Sequence, residues 1–401
     1  MTAADDAGVA AWIARAALGS EPEAALVTGL CERLAATGIP IARASVAVNL
    51  LDPVLGGRQF VWRRATGGVD EPYLREGDEA SAEWRRSPYH RLLSTGTAQL
   101  RRRLDRADVP AEFPLLEALR HQGMTDYVAF VTRDANSSGG DEDDGIGMAS
   151  SWSTDAPGGF TDAQLARLAA LLPSVAVAFL LRVARHTSRA LVTTYLGSDA
   201  AERVLAGNIV RGRAETIRAV VWFSDLAGYT RISEAVGPEG TLALLNDYAE
   251  VEVEAIEAHG GHVLKFIGDA ILAIFPDDGA GPAAARALDA AIDHRGRIAA
   301  LNARRAAAGL PVTDTHVALH VGDLLYGNVG SARRLDFTVL GPAVNEAARI
   351  EALCGSLERS VIASAAFVAG IGAADPRLVS LGRYALKGVA RPQEMFTLDP
   401  E

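Results

Sequence analysis

Val221-Trp222-Phe223-Ser224-Asp225-Leu226-Ala227-Gly228-Tyr229-Thr230 is the stretch on which the reading of this chain turns. The apolar, β-branched and aromatic run predicts a strand over Arg218–Ser224 that delivers a carboxylate, Asp225, to its end. Gly228 lets the backbone turn, and a helix begins after it. The first N–H groups of a helix have no partner inside it and suit a phosphate chain, which makes Gly228, Tyr229 and Thr230 candidate phosphate binders. A carboxylate beside phosphates is repulsive unless a cation lies between them. The segment therefore asks for a divalent metal.

Two further segments extend this reading. Lys265-Phe266-Ile267-Gly268-Asp269 lies in a predicted hairpin over Val263–Phe275 that turns at Gly268-Asp269. Taken alone, Gly-Asp is a turn signal. If the hairpin pairs beside the first strand, Asp269 and Asp225 converge, and two carboxylates with triphosphate oxygens can hold a two-metal centre. In Leu335–Arg349 a strand ends at Gly341 and a helix follows over Ala343–Ala352. Asn345 and Arg349 are four residues apart and share one helical face, which by itself is only a polar surface. Between these segments the pattern predicts an acidic-faced helix over Thr241–Ala258, a long Ala-rich helix over Pro282–Ala307 and a hairpin over Thr315–Val329. Short strands close the chain. Elements in this order predict an α+β fold with helices against an antiparallel sheet.

The three segments, in register with Leu319–Gly330 and Leu386–Pro392, resemble the class III nucleotidyl cyclases over residues 214–400. The resemblance implies a ferredoxin-like catalytic domain over residues 213–401 and assigns roles. Asp225 and Asp269 match the family's metal aspartates, and the Leu226 carbonyl matches a further ligand, for two divalent cations, Mg2+ or Mn2+. Lys265 matches the purine-reading residue and Thr338 its partner, while Asn345 matches the residue that orients the ribose. Arg349 matches the arginine that stabilises charge on the transferring α-phosphate. Lys387 matches a phosphate contact, and either Arg333 or Arg334 another.

The implied reaction makes cyclic AMP and pyrophosphate from ATP. Lys265 can donate to adenine N1 and the Thr338 hydroxyl can accept from the exocyclic amine. Guanylate-selective relatives generally carry an acidic residue at the Lys265 position. Thr338 stands where many members have aspartate, nearer a subgroup some of whose members respond to bicarbonate. In the family, metal and transition-state residues meet across two domains. One domain carrying both sets implies a head-to-tail homodimer. A scaffold with a degenerate site is disfavoured because Asp225, Asp269, Lys265, Asn345 and Arg349 are all present. Gly139-Gly140-Asp141-Glu142-Asp143 lacks the Phe of the cyclic dinucleotide synthase signature.

The remainder of the 401-residue chain carries no motif of comparable weight. Glu21–Thr37 reads as an amphipathic helix, and Val46, Val48 and Leu50 alternate as in a half-buried strand. Asp52-Pro53 and Gly56-Gly57 mark a turn before a second strand over Gln59–Arg64. Further strands are expected at Asp126–Thr132 and Ile146–Trp152, around a polar loop, Asp134–Gly145, whose spacing does not fit an EF-hand. Tyr89, His90 and His121 are candidates for a ligand pocket or for packing. Thr161 and Gln164 form a capping box that opens a long helix, which Pro173 is expected to kink or interrupt. This order resembles a GAF-type sensor. It gives an α/β GAF-like domain over residues 1–160, a helical connector over 161–212, and an unknown small-molecule or protein signal.

The formal net charge of -11 argues against a nucleic-acid partner. Two distant cysteines, no basic leader, and an apolar run over Leu168–Leu181 shorter than a membrane span predict a cytoplasmic protein without a spanning segment.

Overall fold

Successive residues of a strand face opposite sides of its sheet, and in both halves of this chain the central strands are buried on both sides. The computed structural model describes residues 3–50, 55–74, 84–106, 112–133, 146–277, 279, 281–372 and 375–399. They fall into two units, Met1–Leu191 and Val192–Glu401.

The first unit contains α1 (Ala3–Leu18), α2 (Glu23–Ala36), β1 (Arg43–Asn49), β2 (Leu55–Arg63), β3 (Gly67–Leu74), α3 (Pro88–Thr95), β4 (Gln99–Arg103), α4 (Pro114–His121), β5 (Asp126–Arg133), β6 (Ile146–Thr154) and most of α5 (Asp162–Leu196). Its antiparallel sheet has the order β3-β2-β1-β6-β5-β4. Leu30 and Leu34 of α2, Ile13 of α1 and Leu168, Leu172 and Phe179 of α5 form one core with Ala44, Val46, Phe60 and Trp152. Tyr89 and Leu92 of α3 and Leu116 and Leu119 of α4 form a second with Tyr127, Ala129 and Ala149. The strand read as half-buried is thus a central strand covered on both faces. Three helices, α1, α3 and α4, and two strands, β3 and β4, stand where no regular element was expected. Each of α3 and α4 spans only eight residues, too short for a persistent apolar period. The Asp52-Pro53 turn and the 134–145 loop lie outside the described residues.

The capping box is present: Thr161 Oγ1 accepts from Gln164 N at 3.2 Å and Gln164 Oε1 accepts from Thr161 N at 2.9 Å. α5 runs through Pro173 without interruption. An interior proline costs ~3 kcal/mol. The flanking Leu171, Leu172, Val175 and Ala176 are buried in the core, each large side chain contributing about 1.5–3 kcal/mol, which offsets that cost. By length and composition α5 could cross a membrane, which the shorter apolar run did not suggest. Its buried side carries Arg182, whose Nη2 donates to the Ala16 carbonyl at 2.5 Å and the Gly19 carbonyl at 3.3 Å, closing the end of α1.

The second unit contains α6 (Ser198–Leu205), β7 (Ala214–Leu226), α7 (Tyr229–Ala258), β8 (His262–Ile267), β9 (Ala270–Pro276), α8 (Ala283–Ala307), β10 (Thr315–Gly330), β11 (Leu335–Leu340), α9 (Pro342–Glu351), α10 (Cys354–Leu357), β12 (Val361–Ser364), α11 (Ala365–Ile371), β13 (Leu378–Tyr384) and β14 (Gln393–Leu398). Sheet order is β13-β14-β12-β10-β7-β9-β8, with β11 paired to β10. The succession β7-α7-β8-β9-α8-β10 with strands ordered β10-β7-β9-β8, all antiparallel, is the ferredoxin-like arrangement. Along β7, Val220 and Trp222 enter the core beneath α8, whereas Ala219 and Val221 enter the one beneath α9.

The hairpin expected over Thr315–Val329 is instead one long strand, β10, and the hairpin is the β10–β11 pair. In the structure a Cβ on Gly322 would come within 2.5 Å of Ala343 Cβ, so its missing side chain lets α9 lie close to the strand.

Candidate active site

β7 carries Asp225 to the edge of its last turn, and the β8–β9 hairpin, whose β9 pairs with β7, brings Asp269 beside it. Gly268, with φ at 68°, makes the reversal that leaves Asp269 on the inner side of the turn. The two carboxyls are within hydrogen-bonding reach. Burial, then the hydrogen bond with Asp269, its negative charge and that of Glu351 push the Asp225 carboxyl up to about 7. A carboxylate pair under this repulsion must take up a proton or a cation. This donor set, with the adjacent Leu226 carbonyl, fits hard divalent cations. Among the described residues no group of three or more His, Cys, Asp or Glu side chains could hold a metal. Remaining ligands must then come from phosphate oxygens or water. Gly228 caps α7 with φ at 70°, so Tyr229 and Thr230 open the helix directly after the metal strand.

Asn345 and Arg349 line one open cleft of about 590 Å³ with Gly341, Glu346 and Gly388. Neither makes an ion pair or a side-chain hydrogen bond among the described residues, so both are available to a ligand. Lys387, exposed, precedes the Gly388 that borders Arg349, where a Cβ would sit 3.4 Å from Nη1. Arg333 and Arg334 are exposed in the β10–β11 turn, both backbone N–H groups donating to Ser331 Oγ, at 3.3 and 3.1 Å. Lys265 is held by Asp336, a residue the motif reading did not select. Thr338 lies two residues further along the same strand, buried opposite Gly327. The expected residues therefore form three groups: the carboxylates with the start of α7, the Lys265 edge, and the Asn345–Arg349 cleft.

Residues 213–399 match the family model described as the adenylate and guanylate cyclase catalytic domain. This region is a class III nucleotidyl cyclase domain. It is 41% identical over 150 residues to an adenylate cyclase of Anabaena cylindrica, covering 36% of this chain and 29% of that protein. It is 33% identical over 181 residues to adenylate cyclase 1 of Rhizobium meliloti, covering 42% of this chain and 27% of that one. The chain thus matches less than a third of the length of these relatives. A solved bacterial light-regulated adenylyl cyclase aligns with 25% identity and a TM-score of 0.49, covering 56% of this chain and 64% of that one.

Behind β7 the cyclase domain buries a polar layer that the motifs did not reveal. Glu252 of α7 accepts from Trp222 Nε1 at 2.8 Å and from the Ser224 hydroxyl, one residue before Asp225. His294 of α8 packs edge-on against Trp222, with centroids 5.7 Å apart, and its Nε2 lies 3.8 Å from Glu252 Oε2. Burial pushes the Glu252 carboxyl up to about 7 and the His294 imidazolium down to about 4, so the pair is held without charge near pH 6. Glu252 had been read as part of an acidic outer face. Its spacing from the buried Leu244 and Tyr248, four residues per step, was the signal that it lies on the inner stripe.

Proposed function

We propose that this chain is an adenylate cyclase that converts ATP to 3′,5′-cyclic AMP and pyrophosphate at sites shared across a homodimer. The observation that carries it is a cation-demanding carboxylate pair, Asp225 and Asp269, in one domain with an Arg349 that makes no ion pair among the described residues and lies beside Asn345 in an open cleft. One set neutralises a triphosphate and the other meets the reacting phosphorus. Phe266, Ile267, Leu335 and Leu340 are exposed on the two hairpins around the Lys265 edge, which supports a second copy there.

Asp225, Asp269 and the Leu226 carbonyl would hold two Mg2+ or Mn2+ ions, which lower the pKa of a hydroxyl and offset phosphate charge when bound. The amides at Gly228, Tyr229 and Thr230 cradle phosphate oxygens. Asn345 orients the ribose so that its 3′-oxygen faces the α-phosphorus. As that P–O bond forms and the bond to pyrophosphate breaks, Arg349 stabilises the charge that builds on the equatorial oxygens. Lys387 and Arg333 or Arg334 bind the leaving pyrophosphate. Lys265 donates to adenine N1, and Thr338 accepts from the amine. The six-stranded sheet covered by helices on both faces supports a GAF-like regulatory reading of residues 1–160, with a helical connector over 161–212. Two buried free thiols support a cytoplasmic setting.

The test is product analysis with ATP or GTP and Mg2+ or Mn2+, on wild type and Asp269→Ala. Cyclic AMP from ATP, with the variant at least ~100-fold slower, is expected. Preferential cyclisation of GTP would overturn the base assignment, and equal turnover by the variant would overturn the site.

A further inference from the structure

The N-terminal sheet buries a positive charge that no ion pair answers among the described residues. Arg43 is the first residue of β1, only 6% exposed. Register places it opposite Ser153 of β6, which in turn lies opposite Tyr127 of β5. Directly opposed residues share a face, so the three form one cross-strand row. Among the described residues, Arg43 Nη1 and the Tyr127 and Ser153 hydroxyls are all buried without a hydrogen bond of good geometry, although Ser151 lies within reach of the Tyr127 hydroxyl. Buried polar atoms are almost always paired, so three orphans in one row are unusual, and each carries a desolvation penalty.

The other buried charges of this unit are better matched, although Arg182 Nε also lacks a partner among the described residues. Asp126, fully buried, accepts from Arg101 Nη2 at 2.8 Å and from the Phe160 and Tyr127 amides at 3.0 Å. Arg182 donates to backbone carbonyls through its terminal nitrogens. Around Arg43 the neighbouring charged groups give no relief. Arg63, opposite it on β2, repels it, and Glu71 is attractive but makes no ion pair with it. The next row along the same face is polar as well. Gln59 Nε2 donates to Ser45 Oγ at 2.8 Å, and the Tyr89 hydroxyl of α3 donates to Ser151 Oγ at 3.0 Å. Leu92, Leu100 and Leu116 make the surrounding wall apolar.

We propose that the Arg43–Ser153–Tyr127 row binds a small monocarboxylate with an apolar body. A carboxylate presents two coplanar oxygens to a guanidinium, and here the two hydroxyls complete its shell. One buried cation balances one negative charge, whereas a phosphate dianion would leave a net charge in an apolar surround. The apolar wall takes the body of the acid. Tyr89, which now holds Ser151, is the group that an arriving ligand displaces.

Thermal unfolding of the full chain tests this without reference to cyclase turnover. Four of the five tryptophans, Trp12, Trp62, Trp84 and Trp152, lie in this unit, so intrinsic fluorescence reports mainly on it. Sodium propionate and butyrate are titrated against chloride and inorganic phosphate at equal ionic strength. A saturable rise of about 3–6 °C at ten times the dissociation constant is expected with the carboxylates and not with chloride. The rise should be lost in Arg43→Met. No saturable rise, the same rise in Arg43→Met, or a larger one with phosphate would overturn the proposal. Should Arg43→Met not fold, Tyr127→Phe serves: its half-saturation must move at least ~5-fold higher, and an unchanged value counts against the site.

Discussion

Both units bury a sheet on both faces, yet they place their polar side chains differently. In the cyclase domain, Asp225, Asp269, Asn345 and Arg349 sit at the end of a strand, at a hairpin turn and on the solvent side of a helix. In the N-terminal unit, Arg43, Ser151, Ser153 and Tyr127 sit inside strands under a covering layer of helices. Asn345 and Arg349 at the rim keep much of their hydration until a substrate arrives, so they stand unpaired at little cost, whereas the Asp225 carboxyl is already raised by burial and by Asp269. Groups inside a sheet must be answered by the fold or by a ligand. The Glu252–His294 layer is the cyclase domain's own exception, an interior pair that the fold answers by holding both members neutral.

The sharpest way to break this contrast is at the rim. Arg349→Ala removes a cation that has no partner in the fold, so it should lower kcat by about 100–1,000-fold while leaving the unfolding midpoint within a degree or so. A large stability loss with modest kinetic loss would place Arg349 in the architecture instead.

A smaller effect is expected in the interior. Glu252 has its pKa raised from 4.5 to about 7 on folding, so the stability it confers is complete below pH 4.5 and is lost as pH rises to 7. His294 has its pKa lowered from 6.5 to about 4, so its contribution is present above pH 6.5 and is lost as pH falls towards 4. The two slopes oppose each other between pH 4.5 and 6.5. Glu252→Gln should therefore make the protein lose on the order of 2–3 kcal/mol more than wild type when acidified across that window, read from urea midpoints. An unchanged pH dependence would mean that the pair is not held neutral.

The same contrast explains what the sequence revealed. Asp225, Gly268-Asp269 and Asn345–Arg349 could be singled out only together: alone they read as a strand end, a turn and a polar helix face, and it was their register that resembled a known family. The element pattern predicted an α+β fold with an antiparallel sheet, and the ferredoxin-like order came from the resemblance. The single strand β10 was read as a hairpin, and the sequence does not show that Gly322 serves close helix packing. That α5 continues through Pro173 was not legible either, because local propensity could not anticipate how much of α5 the core would bury. Arg43 and the serines of β6 were silent, since a strand with alternating small polar residues reads as half-exposed until a second layer is seen to cover it. Asp336 was missed because its place beside Lys265 depends on how two hairpins meet.

The proposed site is divided between two copies of one chain, and mixing two inactive variants tests that most directly. Asp269→Ala retains the Asn345–Arg349 cleft, and Arg349→Ala retains the carboxylate pair. Each alone should be nearly inactive. In a random mixture half the dimers are mixed, and each of those carries one intact site of two, so turnover should recover to about a quarter of wild type. No recovery in a mixture shown by light scattering to be dimeric would contradict the shared site.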